Sequence, residues 1–313
     1  MADKPRSTVV DFLVYGAVRL LVCVLQALSF DAACAFARFL GWVAYRVDKR
    51  HRLVAQENIA KAFPGKYSEA EIDRMVRGVY RHFCTVLIEI AHAPRKMHVH
   101  NWRQFGDIVQ GGPTVDAMLS GRPLLIVTGH FGNWELAGTT VGLVGFHTHA
   151  IARPLDNPWL DDYLRRFRER TGQKLLAKHG DFEKMQQILD QGGVIATLAD
   201  QDAGQRGLFV EFFGRPASTH KAVALMAMEH RVPMIVATAL KTGASKRNSH
   251  YELHFGDVIL PEDYEKTPDA IRAMTQRFTA DLERLIRLGP EQYFWVHRRW
   301  KHQPQPRKQK KAA

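Results

Sequence analysis

His130 and Glu135 stand five residues apart, at the point where an apolar run of β-branched residues gives way to helical spacing. If both lay on one helix, five steps of about 100° would turn their side chains about 140° apart. We therefore place His130 in the turn after a strand over 124–128 and Glu135 in the first turn of the following helix, with Asn133 as its N-cap. This placement lets the glutamate carboxylate fold back toward the imidazole.

A carboxylate beside a histidine is an arrangement for removing a proton from a hydroxyl group. A hydrogen bond from one ring nitrogen to the carboxylate fixes the tautomer, so the other ring nitrogen accepts the proton. The N-terminus of the helix stabilises Glu135 as an anion. The residues beside the pair form no nucleophile elbow with serine or cysteine, so the hydroxyl belongs to the substrate. The plain alternative is that His130 caps a helix and Glu135 is solvated.

The composition is that of a folded protein with a basic surface. The chain has 313 residues, of which 46% are hydrophobic, and a formal net charge of +12. That length buries a sizeable core, and that charge implies an anionic partner: nucleic acid, an acidic carrier protein or an anionic membrane. The three cysteines form no CxxC pair, so neither a zinc site nor a disulfide framework is indicated, and we expect no metal.

The N-terminal region is apolar enough to contact a membrane. Residues 9–30 form a hydrophobic stretch of about 20 residues, which is long enough to cross a bilayer. Asp11 and Arg19 interrupt it, and with the amphipathic stretch that follows it can instead lie along the interface. We expect a membrane anchor over 1–48, with the body on the cytoplasmic side because Lys and Arg are in excess after it. A buried core helix of a soluble protein is the alternative.

Short apolar runs alternate with helix-length segments along the rest of the chain. They predict an α/β fold with a mixed, mostly parallel central sheet flanked by helices, in which functional residues lie where strands end. Ser68 and Glu71 form a capping signature for a helix over 69–93. Residues 49–303 form this domain, and 304–313 form a disordered basic tail. The predicted strands are 124–128, 148–152, 194–199, 233–240 and 251–258, and the later helices are 158–171, 181–191, 218–230 and 268–288.

The block HFGNWE at 130–135 resembles the catalytic block of the lysophospholipid acyltransferase superfamily, in the branch of the lipid A late (secondary) acyltransferases. The signature of that branch is a histidine, four residues and an acid. The resemblance implies an inner-membrane enzyme facing the cytoplasm, which moves a fatty acyl chain from acyl carrier protein to a hydroxyl of an anionic glycolipid, a lipid A precursor. It implies no cofactor. Further matching blocks lie at 58–64, 152–172, 198–227 and 291–301.

The resemblance also implies roles for individual residues. It makes His130 the general base and Glu135 its orienting partner. Arg168 aligns with an arginine of the family and would stabilise the thioester oxyanion or hold a phosphate, with Arg170 in the same cluster as an alternative. Asp200 matches an acidic position of the family at the end of a strand, although an aspartate that caps a turn gives the same pattern. The candidates for the acceptor pocket are Asn133, Arg153 and Asn157.

Two alternatives stay open at this point. The block YFWVHRRWK at 293–301 interleaves aromatic and basic residues, which suits a membrane interface. A non-catalytic basic protein bound to the membrane surface is therefore the rival class. The sequence has no RNP or GXXG element in a suitable setting, so we expect no nucleic-acid partner. Among enzymes, acyltransferases acting on phosphatidylinositol mannosides or glycerophospholipids are the alternative, because acceptor choice depends on pocket shape.

Overall fold

A computed structural model describes residues 7–109, 111–177, 180–245 and 247–304. The first part of the chain is helical, and its fourth helix begins with the predicted capping box. The Ser68 side chain accepts from the Glu71 N–H, and the Glu71 carboxylate accepts from the Ser68 N–H. Most of the predicted basic tail lies outside the described residues. The helices are α1 (Thr8–Ala27), α2 (Phe30–Val47), α3 (Lys49–Ala62) and α4 (Glu69–Lys96).

Within the described residues, seven strands form one mixed sheet, and two more form a separate antiparallel hairpin. The sheet strands are β1 (Gly106–Val109), β2 (Leu124–Thr128), β3 (Thr148–Ala152), β4 (Gln173–Ala177), β5 (Val194–Leu198), β8 (Met234–Ala244) and β9 (Ser249–Phe255). The hairpin strands are β6 (Leu208–Phe212) and β7 (Arg215–Thr219).

The strand order of the sheet is β1-β9-β8-β2-β5-β3-β4. The five strands β8, β2, β5, β3 and β4 run parallel to one another. Strand β9 is antiparallel to β8, and β1 is parallel to β9. The predicted mixed, mostly parallel α/β sheet is therefore confirmed. The carboxyl ends of the five parallel strands share one edge, which is where sites form in open α/β sheets.

Helices cover both faces of this sheet. Leu125 and Val127 of β2 belong to the main core, and Leu124 and Ile126 face a second apolar cluster. This alternation follows from the two-residue repeat of a strand and explains why the run LLIVT is continuously apolar. The later helices are α5 (Gly112–Leu119), α6 (Trp134–Leu143), α7 (Pro158–Glu169), α8 (Phe182–Asp190), α9 (Ala222–His230) and α10 (Ala270–Ile286).

One predicted helix, over 218–230, begins too early. Ser218 and Thr219 belong to β7, and α9 starts at Ala222. The buried Arg299 guanidinium donates to the Ser218 carbonyl and to the Thr219 hydroxyl, so a tertiary contact keeps this segment extended. Strands β1, β4, β6 and β7 were also not predicted.

Helix α1 lies along the protein body. The Asp11 carbonyl accepts from Asn157 Nδ2 at 2.8 Å, and Gln26 Nε2 donates to the Ala91 carbonyl at 2.6 Å. Between these ends, Arg19 lies over the Tyr163 ring at 4.6 Å. Contacts therefore join α1 to α4 and α7 along its length. The 20-residue helix is apolar enough to cross a membrane. Its outward face has exposed apolar side chains at Val10, Leu13, Leu20, Leu21 and Val24.

Candidate active site

His130 lies in the turn between β2 and α6, as the spacing predicts. Asn133 is the N-cap of α6, and its Oδ1 accepts from the Leu136 N–H at 3.0 Å. Its side chain is fully buried, and Nδ2 donates to Glu89 at 3.0 Å. Asn133 thus fixes the start of the helix, and the structure does not bring it to an acceptor pocket.

Hydrogen bonds with distant segments of the chain hold the turn. The Gly132 N–H donates to the Gln292 carbonyl at 3.1 Å, and the Phe294 N–H donates to the His130 carbonyl at 3.0 Å. His82 Nε2 lies 3.1 Å from the Gly132 carbonyl. Burial lowers the pKa of His82 to about 4, so its ring is neutral and donates to this carbonyl near neutral pH. These hydrogen bonds with α4 and with the segment 292–294 fix the conformation of the turn.

Gly132 is the position in this turn where only glycine fits. Its φ is +61°, and a Cβ there would lie 1.8 Å from the Ala239 carbonyl oxygen. We expect Gly132→Ala to lower the free energy of unfolding by about 3 kcal/mol or more, because backbone strain and overlap with β8 add. Gly65→Ala is the matched control, since Gly65 has φ +68° with no atom within 4 Å of its Cβ position. The free energies of unfolding are measured in denaturant. Equal decreases for the two variants would show that the overlap with the Ala239 carbonyl oxygen does not destabilise Gly132→Ala.

The imidazole of His130 is paired with Asp200, at the end of β5. Nδ1 lies 2.9 Å from Oδ1, and the His130 N–H donates to Oδ2 at 2.8 Å. Asp200 is 3% exposed. Burial alone would raise the pKa of the Asp200 carboxyl, but the charge and hydrogen bonds of His130 outweigh burial and lower it. The carboxylate therefore holds the Nδ1–H tautomer, and Nε2 is the ring nitrogen that can accept a proton.

Glu135 pairs with Arg168 in the structure, where the sequence predicts an orienting contact with His130. Its carboxylate forms a bidentate pair with Arg168, from Nε at 2.9 Å and from Nη2. Both side chains are largely buried, at 9% exposed for Glu135 and 16% for Arg168. Glu135 sits in the first turn of α6 as predicted, but α7 brings a guanidinium to it. The five-residue spacing places the acid near the histidine without deciding which partner it binds.

Aromatic rings surround the imidazole of His130. Trp134 meets it edge-on with ring centroids 5.1 Å apart, and Phe294 lies at 5.8 Å. Phe83 of α4 contacts both rings, at 6.1 Å from Trp134 and 5.0 Å from Phe294. These rings exclude water from one side of the base, which strengthens the electrostatic interactions of the site.

The block at 293–301 supports the site from inside the protein, and its interpretation as a membrane-interface segment is wrong. Tyr293, Trp295 and Arg299 are at most 3% exposed. The Tyr293 hydroxyl donates to the Asp200 carbonyl at 3.4 Å, and the Trp295 indole donates to the Pro290 carbonyl at 2.6 Å. These aromatic and basic side chains therefore pack in the interior of the protein.

The other candidates lie away from His130. Arg170 is exposed after the end of α7. Asn157 is the buried N-cap of α7 and joins α1 through its bond to Asp11, so it is a structural residue. Arg153 is 82% exposed and pairs with Asp156 at 3.2 Å. The structure therefore pairs His130 with Asp200 and Glu135 with Arg168, and these three residues belong to neither pair.

A buried network around Glu89 was not predicted from the sequence. Glu89, on α4, accepts from Lys241 at 2.9 Å and from Asn133 at 3.0 Å, and also from Ser249 and Tyr251. It ties α4 and β8 to the residue that caps α6. The signal for it is a single acid among apolar residues in LIEIAHA, on the face of α4 that is buried.

An apolar cavity of about 90 Å³ lies beside the site. It runs between α6 and the sheet, with Ile126, Ala150 and Val141 in its lining. Glu135, Arg168 and Trp134 also line it, and the Trp134 ring separates it from His130, which it contacts. An apolar cavity close to a histidine and an arginine suits a substrate with a hydrocarbon chain and one reacting polar group.

Comparison with known proteins gives the family. The family model of the bacterial lipid A biosynthesis acyltransferases matches residues 3–302. The lipid A biosynthesis palmitoleoyltransferase of Escherichia coli K12 is 26% identical over 284 residues, which cover 88% of this chain and 87% of that protein. The lauroyltransferase of the same strain is 26% identical over 275 residues, 85% and 84% of the two chains.

A second group of relatives matches a shorter part. The phosphatidylinositol mannoside acyltransferase of Mycobacterium tuberculosis H37Rv is 28% identical over 148 residues, 45% of this chain and 46% of that one. The family model, by contrast, spans nearly the whole chain. The family model and the two near full-length relatives show that this chain belongs to the bacterial lipid A biosynthesis acyltransferase family and is an acyltransferase.

Proposed function

We propose that this enzyme transfers a fatty acyl chain from acyl carrier protein to a hydroxyl of a lipid A precursor, with His130 as the general base. The observation that carries the proposal is the pairing of His130 with buried Asp200 beside an apolar cavity. The family and the near full-length similarity to lipid A lauroyl- and palmitoleoyltransferases support this class of acceptor.

The acyl group passes directly from the donor to the acceptor, without an intermediate bound to the enzyme. Nε2 of His130 takes the proton of the acceptor hydroxyl as the oxygen attacks the thioester carbonyl carbon. Asp200 stabilises the imidazolium that forms. The tetrahedral intermediate then collapses, the carbon–sulfur bond breaks, and the imidazolium returns its proton to the thiolate. The products are an ester and the free thiol of the carrier.

Arg168 and Glu135 act together at the donor. Glu135 occupies Nε and Nη2 of the guanidinium, so Nη1 is the nitrogen through which Arg168 can stabilise the thioester oxyanion. The cavity beside the pair takes the donor acyl chain, because the chain must leave water while its carbonyl reaches the base. Glu135 is then a positioning residue for Arg168.

The preference for an acidic carrier rests on the charge of the whole chain. The arginine cluster at 165–170 contributes less than its sequence suggests, because Arg165 pairs with Asp161 at 3.2 Å and Arg166 with Asp162 at 2.9 Å. The net charge of +12 still favours an anionic donor and an anionic glycolipid over neutral diacylglycerol.

The substrate assignment is tested by supplying purified enzyme with acyl carrier protein donors of several chain lengths. The acceptors are a lipid A precursor, a phosphatidylinositol mannoside and lysophosphatidic acid, and products are identified by mass spectrometry. We expect product from the lipid A precursor, with an initial rate that falls as salt rises. Product only from another acceptor would overturn the acceptor assignment. Product from acyl-coenzyme A but not from the carrier protein would overturn the donor assignment.

We also propose that the outward face of α1 attaches the enzyme to the cytoplasmic side of the inner membrane. The inward face of α1 is joined to α4 and α7 by the bonds of Asp11, Arg19 and Gln26, so the outward face is the one that meets lipid. An apolar helix face of this kind lies in the interface while the body stays in water.

Charges on this face will therefore release the protein from membranes. We expect Leu13→Glu with Leu20→Glu to shift the enzyme from anionic phospholipid vesicles to the soluble fraction in flotation assays, because each leucine is more than 60% exposed on α1. Deletion of residues 1–30 will have the same effect, with additional loss of stability from the uncovered α4 and α7. Leu119→Glu, at a leucine 69% exposed on α5, is the control and stays bound. Unchanged vesicle binding by the double variant would contradict the proposal.

A further inference from the structure

A second apolar groove lies on the opposite face of the sheet from the cavity beside α6. Its volume is about 500 Å³, much larger than that of the first cavity, and it runs between α8 and α9. Its floor is formed by Leu125 and Ile195, and Met185 and Met226 line its walls. From Ile195 to Leu198, where β5 ends, the floor extends about 10 Å at the usual rise of a strand. The groove thus has room for an extended hydrocarbon chain.

The two cavities meet where β3 and β5 separate. These strands pair only as far as Ala150 with Ala196, although β3 continues beside β4 to Ala152 and β5 continues beside β2 to Leu198. The residues that follow the last pair on each strand line both cavities. They are Ile151, Ala152, Thr197 and Leu198.

This meeting point adjoins the catalytic group. Ala199 lines the second groove and immediately precedes Asp200, whose carboxylate holds His130. A chain in the groove can therefore end next to Asp200, the carboxylate partner of His130, and a chain in the first cavity can end at Trp134, whose ring contacts His130. Two hydrocarbon chains can thus approach the His130–Asp200 pair from opposite faces of the sheet.

The open end of the groove combines apolar and polar side chains. Phe182 and Leu225 are 58% and 42% exposed beside it. Arg153, His220 and Glu229 also line it, and the Arg153 guanidinium is largely in solvent, where it pairs with Asp156. An exposed apolar rim with a cation suits a lipid that enters by its chain and keeps an anionic headgroup outside. Arg153, a predicted acceptor-pocket residue, therefore lines this groove.

We propose that the groove between α8 and α9 binds the hydroxyl-bearing acyl chain of the acceptor, while the cavity beside α6 binds the acyl chain of the donor. The proposal rests on the proposed function, because an ester between a fatty acyl group and a hydroxyacyl chain brings two hydrocarbon chains to one base. Glu135 and Arg168, which the proposed function places at the thioester, line the cavity beside α6, whereas the larger groove has Arg153 at its open end, where an anionic headgroup would lie.

Photolabelling tests where each chain lies without requiring turnover. The His130→Ala enzyme in lipid vesicles is given a lipid A precursor with a diazirine near the end of its hydroxyacyl chain, or acyl carrier protein whose acyl chain carries the same group. We expect the acceptor probe to label Met185 and Met226 and the donor probe to label Val141, each in competition with its unlabelled parent. The reverse pattern, or labelling of the groove that unlabelled acceptor does not prevent, overturns the proposal.

Variants that fill one cavity give a second readout. We expect Met226→Trp to raise the acceptor KM about ten-fold with little change in the donor KM, and Ala150→Leu to do the opposite. Thermal unfolding identifies a variant that fails to fold. In that case the photolabelling result decides which cavity binds which chain. Absence of product from the unmodified enzyme would overturn the proposed function instead, so the two failures are distinguishable. Equal changes in both KM values for Met226→Trp would overturn the groove assignment.

Discussion

Replacement of His130 by alanine will lower the rate of acyl transfer by about 10²–10⁴-fold, the usual contribution of a general base. The side chain is 25% exposed, and its polar contacts are with Asp200, so its loss removes chemistry more than packing. The turn itself is held by main-chain bonds from Gln292 and Phe294, which the substitution does not touch. We therefore expect the variant to fold and to bind membranes like the unmodified enzyme.

The measurement is the initial rate with carrier-bound donor and lipid A precursor, beside thermal unfolding and vesicle flotation. His250→Ala is the matched control, because His250 forms a comparable pair with Asp107 at 3.0 Å at the far side of the sheet. It should keep the full rate. A His130→Ala enzyme that retains more than a tenth of the rate would remove His130 from the mechanism.

The turn that holds His130 could be predicted from the sequence because its signals are local. A β-branched run, two glycines and a capping asparagine lie within ten residues, and together they require a strand, a tight turn and a helix. The same kind of signal located β2 and β3 with their correct bounds. Strands β1 and β4 were not found, because β1 has only four residues and β4 begins with polar residues.

The partners inside the site could not be predicted, because they depend on packing between distant segments. Asp200 is 70 positions from His130 and reaches it only because β5 lies next to β2 in the sheet. Arg168, near the end of α7, reaches Glu135, in the first turn of α6, from 33 positions away. Sequence spacing showed which acids were near a strand end or a helix start, but sheet order decides which acid meets the imidazole.

The aromatic block at 293–301 shows the same limit. Alternating rings and cations occur both at membrane interfaces and in cores where an arginine is buried against a ring. Arg299 lies 5.2 Å from the Phe212 ring centroid and donates to the main chain of β7, so this block belongs to the second case. Only the burial of the segment distinguishes the two.

Asp200→Asn and Glu135→Gln will show which acid is the functional partner of His130: Asp200, which the structure pairs with it, or Glu135, which the sequence spacing predicts. Asparagine at 200 keeps the shape but loses the charge that stabilises the imidazolium, and its amide can turn the imidazole to the wrong tautomer. We expect kcat to fall by about 10²–10⁴-fold with little change in the donor KM. Asp200→Glu keeps the charge and should recover part of the rate, which a purely structural role of Asp200 would not predict.

Glu135→Gln will act through Arg168. The glutamine can accept one hydrogen bond but leaves the guanidinium without a counter-charge in a largely buried site, so stability falls by about 3–5 kcal/mol at most and the donor KM rises. Glu135→Gln combined with Arg168→Gln should be no worse than Arg168→Gln alone, because the two residues act as a unit. A different result would contradict this role. If Glu135→Gln lowers kcat as much as Asp200→Asn does, leaves the donor KM unchanged and has the same effect in the Arg168→Gln enzyme, then Glu135 orients His130 during turnover. The pairing of Glu135 with Arg168 would then not be the catalytic arrangement.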